Sequence, residues 1–418
     1  MGNPPYMGSR RQGEKQKSDL ESIFHNNFGS LDYIACWFML GSKYIKGTQA
    51  KFAFVSTNSI CQGLQVSLLW PHILNNGQEI FFAHHSFRWT NNAKYNAGVT
   101  CIIVGIREVG KGNKYLFDGD SSRQVISINP YLTEGSNTII PSTSKPICSV
   151  PQMNFGNMPA DGGHLILDEY ERQHLLEDYP ESERFIKPLV GAEELIKGKK
   201  RWCIWLNGED ESLYENIPPI VQRINEVRKV RQESSRPQLA SIPNLFAQIT
   251  QPQGISFIII PSVSSENREY IPMEFLDKNY VSTNLCMVIG TNDKWLFGIL
   301  TSAMHMAWVR AIGGRLKTDY RYSAGLCYNP FPFPRLTEAK KKEIEEAAWE
   351  VLGAREAHYG KTLAELYDPE TMPQDLRDAH HQLDLVVDSC YRDRPFVDEN
   401  ERLEWLLKLY DKMNNNKN

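Results

Sequence analysis

The tetrapeptide at the start of the chain, Asn3-Pro4-Pro5-Tyr6, constrains the local fold more than any other short segment of the sequence. Each proline fixes its backbone φ near about −65° and removes a donor N–H group. Asn-Pro and Pro-Pro dipeptides are therefore common where the chain turns between regular elements. One interpretation of residues 3–6 is a tight turn with no further role.

The same four side chains also suit the binding of an exocyclic amine. The side-chain oxygen of Asn3 and a backbone carbonyl held rigidly by Pro4 can both accept hydrogen bonds from such an amine, which localises its lone pair. Tyr6 adds an aromatic surface on which a base taken out of a duplex can stack. A reaction at the amine would then depend on alignment and electrostatics rather than on a strong base. The tetrapeptide alone leaves both interpretations open.

The composition is that of an ordinary globular protein with room for two or three domains. The chain has 418 residues, of which 41% are hydrophobic and 23% are charged, and its formal net charge is −4. No apolar run is long enough to span a bilayer, and we expect no membrane partner. Eight scattered cysteines without a Cys-x-x-Cys pair argue against a zinc site and favour a reducing cytoplasm.

Residues 1–110 have the pattern of an α/β domain. A strand–helix–strand order predicts parallel pairing with crossover helices, and the last two strands are placed as a hairpin at the sheet edge. The predicted elements are a helix at 31–46, a strand at 51–57, a helix at 62–74 and strands at 79–83 and 99–105.

The rest of the chain divides into two further predicted domains. Residues 111–335 are rich in Pro, Gly, Asn and Ser, with a β-like run at 256–261 and a helix at 220–231, and predict a loop-rich α+β domain. Residues 336–418 are predicted to be helical, beginning with an amphipathic helix at 337–352.

Several segments together resemble one family, the large type IIL (type IIG-like) restriction–modification enzymes related to MmeI. Asn-Pro-Pro-Tyr is similar to the tetrapeptide that amino-methylating DNA methyltransferases place around a flipped-out adenine. The other matching segments are 54–60 (FVSTNSI), 62–63 (QG), 82–84 (FAH), 87–89 (FRW), 156–159 (GNMP), 161–163 (DGG), 260–266 (IPSVSSE), 270–272 (YIP), 297–300 (FGIL), 314–315 (GR), 322–323 (YS) and 328–332 (YNPFP).

The resemblance implies a layout and a cofactor. Residues 1–110 would be the second half of a class I (Rossmann-like) methyltransferase domain, 111–335 a target recognition domain, and 336–418 a C-terminal helical region. The implied reaction is adenine-N6 methylation with S-adenosylmethionine, on double-stranded DNA. Neither a nuclease carboxylate cluster nor a glycine-rich cofactor loop is found, so we expect the cofactor site to lie upstream of residue 1, in a preceding segment or partner subunit. The isolated chain is then expected to be inactive.

The resemblance also implies roles for individual side chains. Asn3, Pro4 and Pro5 would hold the target amine, and Tyr6 would stack on the base. Phe87 is the second stacking candidate, with Trp89 as its rival, although Phe87 could equally pack within the hairpin.

Three polar groups near this segment are ambiguous. Asn58 and the Gln62-Gly63 pair follow a predicted strand and could line a pocket, although capping of the next helix is the favoured interpretation for Asn58. His84 and His85 lack a carboxylate or cysteine partner at ligand spacing, so we expect packing rather than a metal site.

Basic and polar clusters in the second half are candidate DNA contacts, against the alternative of ordinary solvated faces. A loop at 264–269 offers side chains that can bond base edges, since Arg suits guanine, Asn suits adenine and Glu suits cytosine. A second cluster at 197–201 is a weaker candidate. The predicted DNA-binding residues are Arg223, Arg228, Arg231, Ser265, Glu266, Asn267, Arg268, Arg315, Lys317 and Arg321.

Three functions are compatible with the sequence. The first is the adenine methyltransferase and recognition portion of a restriction–modification enzyme. The second is a DNA-specificity module without catalysis, which acts with a separate methyltransferase or nuclease. The third is a generic α/β protein in which residues 3–6 only form a turn.

Overall fold

The computed structural model describes residues 1–89 and 99–415. Its strands are β1 (Lys51–Thr57), β2 (Gln78–Trp89), β3 (Val99–Glu108), β4 (Lys114–Asp118), β5 (Ser121–Val125), β6 (Met153–Phe155), β7 (Ile166–Leu167), β8 (Ile186–Val190), β9 (Trp202–Ile204), β10 (Phe257–Pro261), β11 (Val263–Ser264), β12 (Glu274–Leu276), β13 (Val281–Ser282), β14 (Cys286–Gly290), β15 (Gly314–Leu316) and β16 (Asp319–Arg321). Its helices are α1 (Glu14–Phe24), α2 (Ala35–Ile45), α3 (Gly63–Leu74), α4 (Glu169–Asp178), α5 (Ala192–Lys197), α6 (Pro218–Gln232), α7 (Lys294–Leu300), α8 (Ala303–Ile312), α9 (Glu338–Ala357), α10 (Leu363–Leu366), α11 (Gln374–Ser389) and α12 (Glu399–Asn415).

The chain forms two compact units, and each of them is discontinuous in sequence. Unit one comprises Met1–Cys148, Ala307–Pro334 and Arg394–Asn418, and unit two comprises Ser149–Met306 and Arg335–Asp393. The sequence predicts three continuous domains, and that division stays a prediction. The compact units group two later stretches with the N-terminal segment.

The sheet of unit one has the strand order β1-β3-β2-β4-β5. β3 lies between β1 and β2 and is antiparallel to both, while β4 is parallel to β2 and antiparallel to β5. The expected direct parallel pairing of successive strands is wrong for β1 and β2, because β3 occupies the position between them. The β2–β3 hairpin is confirmed, but it lies inside the sheet because β4 pairs with the other side of β2.

Helices α2 and α3 pack against this sheet through large aromatic side chains. Phe38 on α2 is fully buried and meets Phe54 on β1 edge-to-face, with 5.4 Å between ring centroids. Trp70 on α3 is also fully buried, and its Nε1 donates to the Ile60 carbonyl at 2.7 Å. A buried indole needs such a partner for its single donor group, so the bond fixes α3 against the end of β1.

The C-terminal helix α12 belongs to unit one. Trp308 is fully buried, donates its Nε1 to the Leu326 carbonyl at 3.0 Å, and packs against Phe331 and Tyr410 with ring-centroid distances of 5.8 and 6.0 Å. Tyr410 lies on the buried face of α12. This apolar face explains why the last helix of the chain returns to the N-terminal unit.

Unit two contains two small sheets, with strand orders β12-β10-β14-β6 and β13-β8-β9-β7. All five residues of β10 are buried, as a continuous apolar run predicts. Helix α6 buries Ile220, Ile224 and Val227 in the core around β8 and β9. Gly298 on α7 allows close packing against α9, since a Cβ atom there would lie 2.5 Å from Cγ2 of Ile344. Among the described residues, no helix combines the length and apolar character that crossing a bilayer requires.

Two buried histidines give unit two a pH-dependent stability. Burial lowers the pKa of His305 to about 3 and the pKa of His380 well below its usual value. Between the unfolded pKa near about 6.5 and these lower folded values, the unfolded chain binds more protons. We therefore expect the free energy of unfolding to fall from about pH 7.5 to about pH 5.5, by about 1.4 kcal/mol for each histidine.

Urea unfolding at the two pH values measures this fall. His305→Gln should reduce the fall, whereas the same substitution at the exposed His381 should leave it unchanged. Identical pH dependence in the wild type and His305→Gln would contradict the assignment.

Candidate active site and nucleic-acid interface

The tetrapeptide begins where the main chain leaves the edge of β1. The Gly2 N–H donates to the Ala53 carbonyl and the Val55 N–H donates to the Gly2 carbonyl, both at 3.0 Å, which forms a parallel bridge beside Phe54. Gly2 therefore behaves as the last residue of a strand parallel to β1. Asn3 follows this bridge directly, and its side chain is exposed.

A buried carboxylate holds the chain just after the tetrapeptide. Asp32 is 5% exposed, and its Oδ1 accepts hydrogen bonds from the backbone N–H groups of Met7 and Ile34 at 2.8 and 3.1 Å. Its own N–H donates to the Gln65 side chain on α3 at 2.9 Å. Burial raises the pKa of Asp32, while the N–H donors of Ile34, Met7 and Tyr33 act in the opposite direction.

Gln12 adds a second tie at the same place. Its Nε2 donates to the carbonyls of Met7 and Leu31 at 2.8 and 2.9 Å. Neither Asp32 nor Gln12 is predictable from the sequence, because their role depends on contacts across the fold and no local spacing indicates it.

Tyr6 and Phe87 lie at the same end of the sheet. Burial raises the pKa of Tyr6, and the nearby Cys101 and Asp32 raise it further. In the β-sheet register, Cys101 at the start of β3 pairs with Thr57 on β1 and with Phe87 on β2. Because Gly2 pairs in parallel with Phe54, the residues after Gly2 continue towards the end of β1, where Thr57 pairs with Cys101.

The half-buried Phe87 follows an irregularity in β2. The register between β2 and β3 shifts between His84 and Phe87, and a bulge of this kind re-aims the side chains that follow it. Phe87 lies near the carboxyl end of β2, opposite Cys101. The rival candidate, Trp89, ends β2 opposite Val99, but its side chain lies outside the described residues.

The residues after β1 do not form the helix cap that was the favoured interpretation for Asn58. Asn58 opens a short 3-10 turn, Asn58–Cys61, and does not cap α3, because the residue at the N-cap position is Gln62, whose side chain makes no capping bond. Gly63 has a φ of +58°, and a Cβ atom there would lie 3.2 Å from Cα of Gly314. The β15–β16 hairpin therefore lies directly beside residues 62–63.

The two histidines on β2 take part in packing. The His84 ring stacks on Phe117 with 4.4 Å between centroids, and burial lowers its pKa. His85 makes a 2.9 Å hydrogen bond between its Nε2 and the Leu132 carbonyl. Over residues 1–89 and 99–415, no group of three or more His, Cys, Asp or Glu side chains is placed to hold a metal ion.

The β15–β16 hairpin presents two of its three predicted DNA-binding residues to solvent. Lys317, in the hairpin turn with a φ of +59°, and Arg321 are exposed. Arg315 is half-buried: its guanidinium lies 4.1 Å from the Tyr320 ring centroid and donates to the carbonyls of Thr318 and Arg310 at 3.3 and 3.2 Å. These contacts give Arg315 a structural role within unit one.

The candidate base-reading loop in unit two is a compact turn. It follows β11, and the Arg268 N–H donates to the Ser265 carbonyl at 3.3 Å. The Ser265 hydroxyl oxygen accepts from the Asn267 N–H, also at 3.3 Å. Asn267 is exposed, while Ser265, Glu266 and Arg268 are half-buried. The turn therefore presents the Asn267 side chain to solvent.

Comparison with known proteins covers almost the whole chain. Residues 1–118 match the DNA-methyltransferase domain of MmeI, residues 134–335 its target recognition domain, and residues 336–417 its C-terminal domain.

The chain belongs to the MmeI family of restriction–modification enzymes.

Two relatives show how far the similarity extends. The Bacillus subtilis (strain 168) protein named DNA methyltransferase A is 48% identical over 421 residues, which cover 99% of this chain and 47% of that protein. The solved structure of the type IIL restriction–modification enzyme MmeI in complex with DNA is 40% identical with a TM-score of 0.87, over 99% of this chain and 57% of that chain. The chain thus spans about half the length of these relatives.

Helix α6 of this MmeI-family chain corrects one of the predicted DNA contacts. Arg231 is 1% exposed, and its guanidinium is used entirely inside unit two. It makes five hydrogen bonds of 2.7–3.2 Å to the backbone carbonyls of Ala160, Leu239, Ile242, Pro159 and Leu245. Arg231 is a structural residue, because no donor remains for a phosphate.

The other basic residues of the two clusters differ in their exposure. Arg223 is partly buried and binds the Glu171 carboxylate at 2.6 Å, whereas Arg228 is exposed and bonds only locally, to the Asn225 side chain at 2.9 Å. In the weaker cluster, Lys197 and Lys199 bind Glu193 and lower its pKa to about 2. Arg228 is therefore the α6 cation best placed to meet a ligand.

Arg231 and Arg228 give a matched pair for a stability test on one helix. Arg231→Ala leaves several buried carbonyls without donors, so we expect the free energy of unfolding to fall by about 3 kcal/mol or more. Arg228→Ala should change it by less than about 0.5 kcal/mol. Chemical denaturation of both variants measures the difference, and similar values would refute the structural role of Arg231.

Proposed function

We propose that this chain is the target-base and target-recognition portion of a site-specific DNA adenine-N6 methyltransferase within a restriction–modification system. One observation carries the proposal: Asn3 and Tyr6 leave the edge of β1 at the end of the sheet where Phe87 and Cys101 pair. An open sheet with bound ligands at the carboxyl ends of its strands is the usual arrangement in α/β enzymes. The mixed sheet of unit one supports a partial class I methyltransferase fold.

The chemistry follows from the acceptors around the target amine. The Asn3 side-chain oxygen and the Pro4 carbonyl oxygen would accept hydrogen bonds from the two amine N–H groups, so the nitrogen lone pair is localised and points out of the plane of the ring. S-adenosylmethionine, when bound, supplies the methyl group. Pro4 and Pro5 keep the acceptors fixed, which makes alignment the main source of rate. Asp32 contributes by fixing the backbone at Met7, directly after Tyr6.

Tyr6 and Phe87 would hold the extruded adenine by stacking. Each base–aromatic contact of this kind contributes about 1–3 kcal/mol, which offsets part of the cost of unstacking the base. Both side chains are half-buried, so each keeps part of its ring surface accessible. Trp89 remains a second candidate on the same strand.

DNA recognition would use exposed basic groups. A duplex needs a locally positive surface. Lys317 and Arg321 are exposed cations of unit one, and Arg228 is separately an exposed cation of unit two, although the net charge is −4. Ser265, Glu266, Asn267 and Arg268 are proposed to read base edges from their loop. The half-buried Arg223 and Arg315 can reach a phosphate only by giving up their present partners.

We propose that S-adenosylmethionine binding depends on a preceding segment or a partner subunit. The Gly110-Lys111-Gly112 sequence is the only Gly-x-Gly in the chain, and it joins β3 to β4. A phosphate- or nucleotide-binding glycine loop leads from a strand into a helix, so this turn does not fit that role. The eight free cysteines are consistent with action in a reducing cytoplasm.

Methylation itself is the decisive test. When this chain is expressed in a methylation-free host together with the segment or subunit that supplies the cofactor site, modified-base sequencing should show N6-methyladenine in one recurring motif. Asn3→Ala should lower the methylation rate on the order of a hundredfold, because it removes one of two fixed acceptors. Asn26→Ala, at an exposed turn outside the site, should have no effect. A wild type that binds its DNA site without methylating it would replace this proposal by a non-catalytic specificity module.

Cofactor binding by this chain alone is a second test. We expect calorimetry to detect no binding of S-adenosylmethionine at micromolar concentrations by the 418-residue chain, since the glycine loop is lacking. The chain together with the segment or subunit that supplies the cofactor site should bind the same ligand. Micromolar binding by the 418-residue chain would show that its own residues form the cofactor site.

A further inference from the structure

Helix α11 contacts the chain at the exit of the recognition loop, the segment Ser265–Arg268. The two residues that follow the loop are Glu269 and Tyr270, and both bind this helix. Nη1 of Arg377 lies 2.7 Å from Oε2 of Glu269. The Tyr270 hydroxyl donates to Oδ2 of Asp384 at 2.7 Å. The loop is therefore fixed at its exit by two consecutive residues.

The contacts come from one face of α11. Arg377, His380 and Asp384 are spaced three and four residues apart, which places them on the same side of a helix. The His380 ring stacks on the Tyr270 ring, with centroids 4.0 Å apart and 17° between their planes. Tyr270 is thus held by its ring and by its hydroxyl at the same time.

The face of α11 is itself anchored in the core of unit two. Oδ1 of Asp384 accepts from the Ala303 N–H at 2.6 Å, and Nε2 of His380 lies 2.8 Å from the Tyr367 hydroxyl. Arg355 completes the network, since its Nε donates to the Tyr367 hydroxyl at 2.7 Å and its Nη1 donates to the Met273 carbonyl at 2.7 Å. Met273 lies three residues after Tyr270, so the network holds the chain on the far side of the exit as well.

The two contacts differ in their energetic character. Tyr270 and Asp384 are 4% and 5% exposed, so their hydrogen bond is shielded from water. The Arg377 and Glu269 side chains are 37% and 48% exposed, and ion pairs this open contribute little to global stability. The exposed pair restrains Glu269 next to the loop, which suggests a local role beyond holding the fold together.

We propose that α11 positions the recognition loop, with Arg377, His380 and Asp384 as positioning residues that hold Asn267 and Arg268 in the conformation that reads DNA. This inference rests on the proposed function, in which the loop contacts base edges. A loop that is ordered before binding does not lose conformational entropy when DNA arrives. Its side chains are already placed to bond the base edges of the correct DNA sequence, which is therefore bound in preference to other DNA sequences. The helical C-terminal domain thereby acquires a part in target recognition.

Two variants weaken the contacts at the exit of the recognition loop without replacing a residue of the loop. Tyr270→Phe keeps the ring that stacks on His380 and removes the hydroxyl that binds Asp384. Arg377→Ala removes the exposed ion pair, and Arg377→Lys restores a cation for Glu269. Gln382→Ala, at an exposed position on α11, is the matched control. Asn267→Ala tests the loop itself.

Hydrogen exchange and DNA selectivity are measured on the 418-residue chain. A duplex is chosen by selection from a random library with the wild type, and selectivity is its Kd ratio to a scrambled duplex. We expect Tyr270→Phe and Arg377→Ala to speed exchange in residues 262–270 and to lower selectivity, each about tenfold, with unchanged affinity for the scrambled duplex. Arg377→Lys should recover most of the selectivity, and Gln382→Ala should match the wild type.

The outcomes separate the positioning role of α11 from the DNA-reading role of the recognition loop. If Asn267→Ala lowers selectivity while the Tyr270 and Arg377 variants keep wild-type exchange and selectivity, the positioning role is overturned and the recognition role of the loop stands. If no variant changes the selectivity, the loop does not read DNA and both proposals are overturned. Faster exchange throughout β10 in the two exit variants would indicate general destabilisation, which also overturns positioning.

Discussion

The position of β3 between β1 and β2 is the constraint on which the candidate active site depends. Because β3 is antiparallel to both neighbours, its first residues lie beside the last residues of β1 and β2, and Cys101 pairs with Thr57 and Phe87. Side chains alternate between the faces of a strand, so a shift of one residue would turn Phe87 to the opposite face. The Gly2 bridge beside Phe54 ties the tetrapeptide to the same sheet.

Arginine is the residue type for which sequence and structure differ most. A guanidinium has five donors in a rigid plane, and these satisfy backbone carbonyls as well as they bind phosphates. Arg231 uses five such bonds within unit two, while Arg228, three residues earlier on the same helix, is exposed. A basic cluster in a sequence therefore predicts a DNA-binding helix face only after its buried arginines have been set apart from its exposed ones.

Local patterns predicted individual elements well and their arrangement poorly. The strand Lys51–Thr57 has the predicted bounds, and α6 extends only slightly beyond the predicted 220–231, because an apolar run and an amphipathic repeat are properties of neighbouring residues. The strand order depends on pairings between distant segments. Asp32 binds the backbone of Met7, 25 residues away, and no short-range signal records that contact. The expectation that Asn58 caps α3 was wrong because Asn58 opens a 3-10 turn that precedes α3.

The discontinuity of the two units limits how unit two can be exchanged between relatives. The chain passes from one unit to the other after residues 148, 306, 334 and 393. A recombination event with two crossover points can transplant residues 149–306, but it leaves the helices of 335–393 behind, and those helices belong to the same unit. Inheritance of the complete unit two needs four junctions, whereas a continuous segment needs two, so unit two is harder to transfer intact than its length suggests.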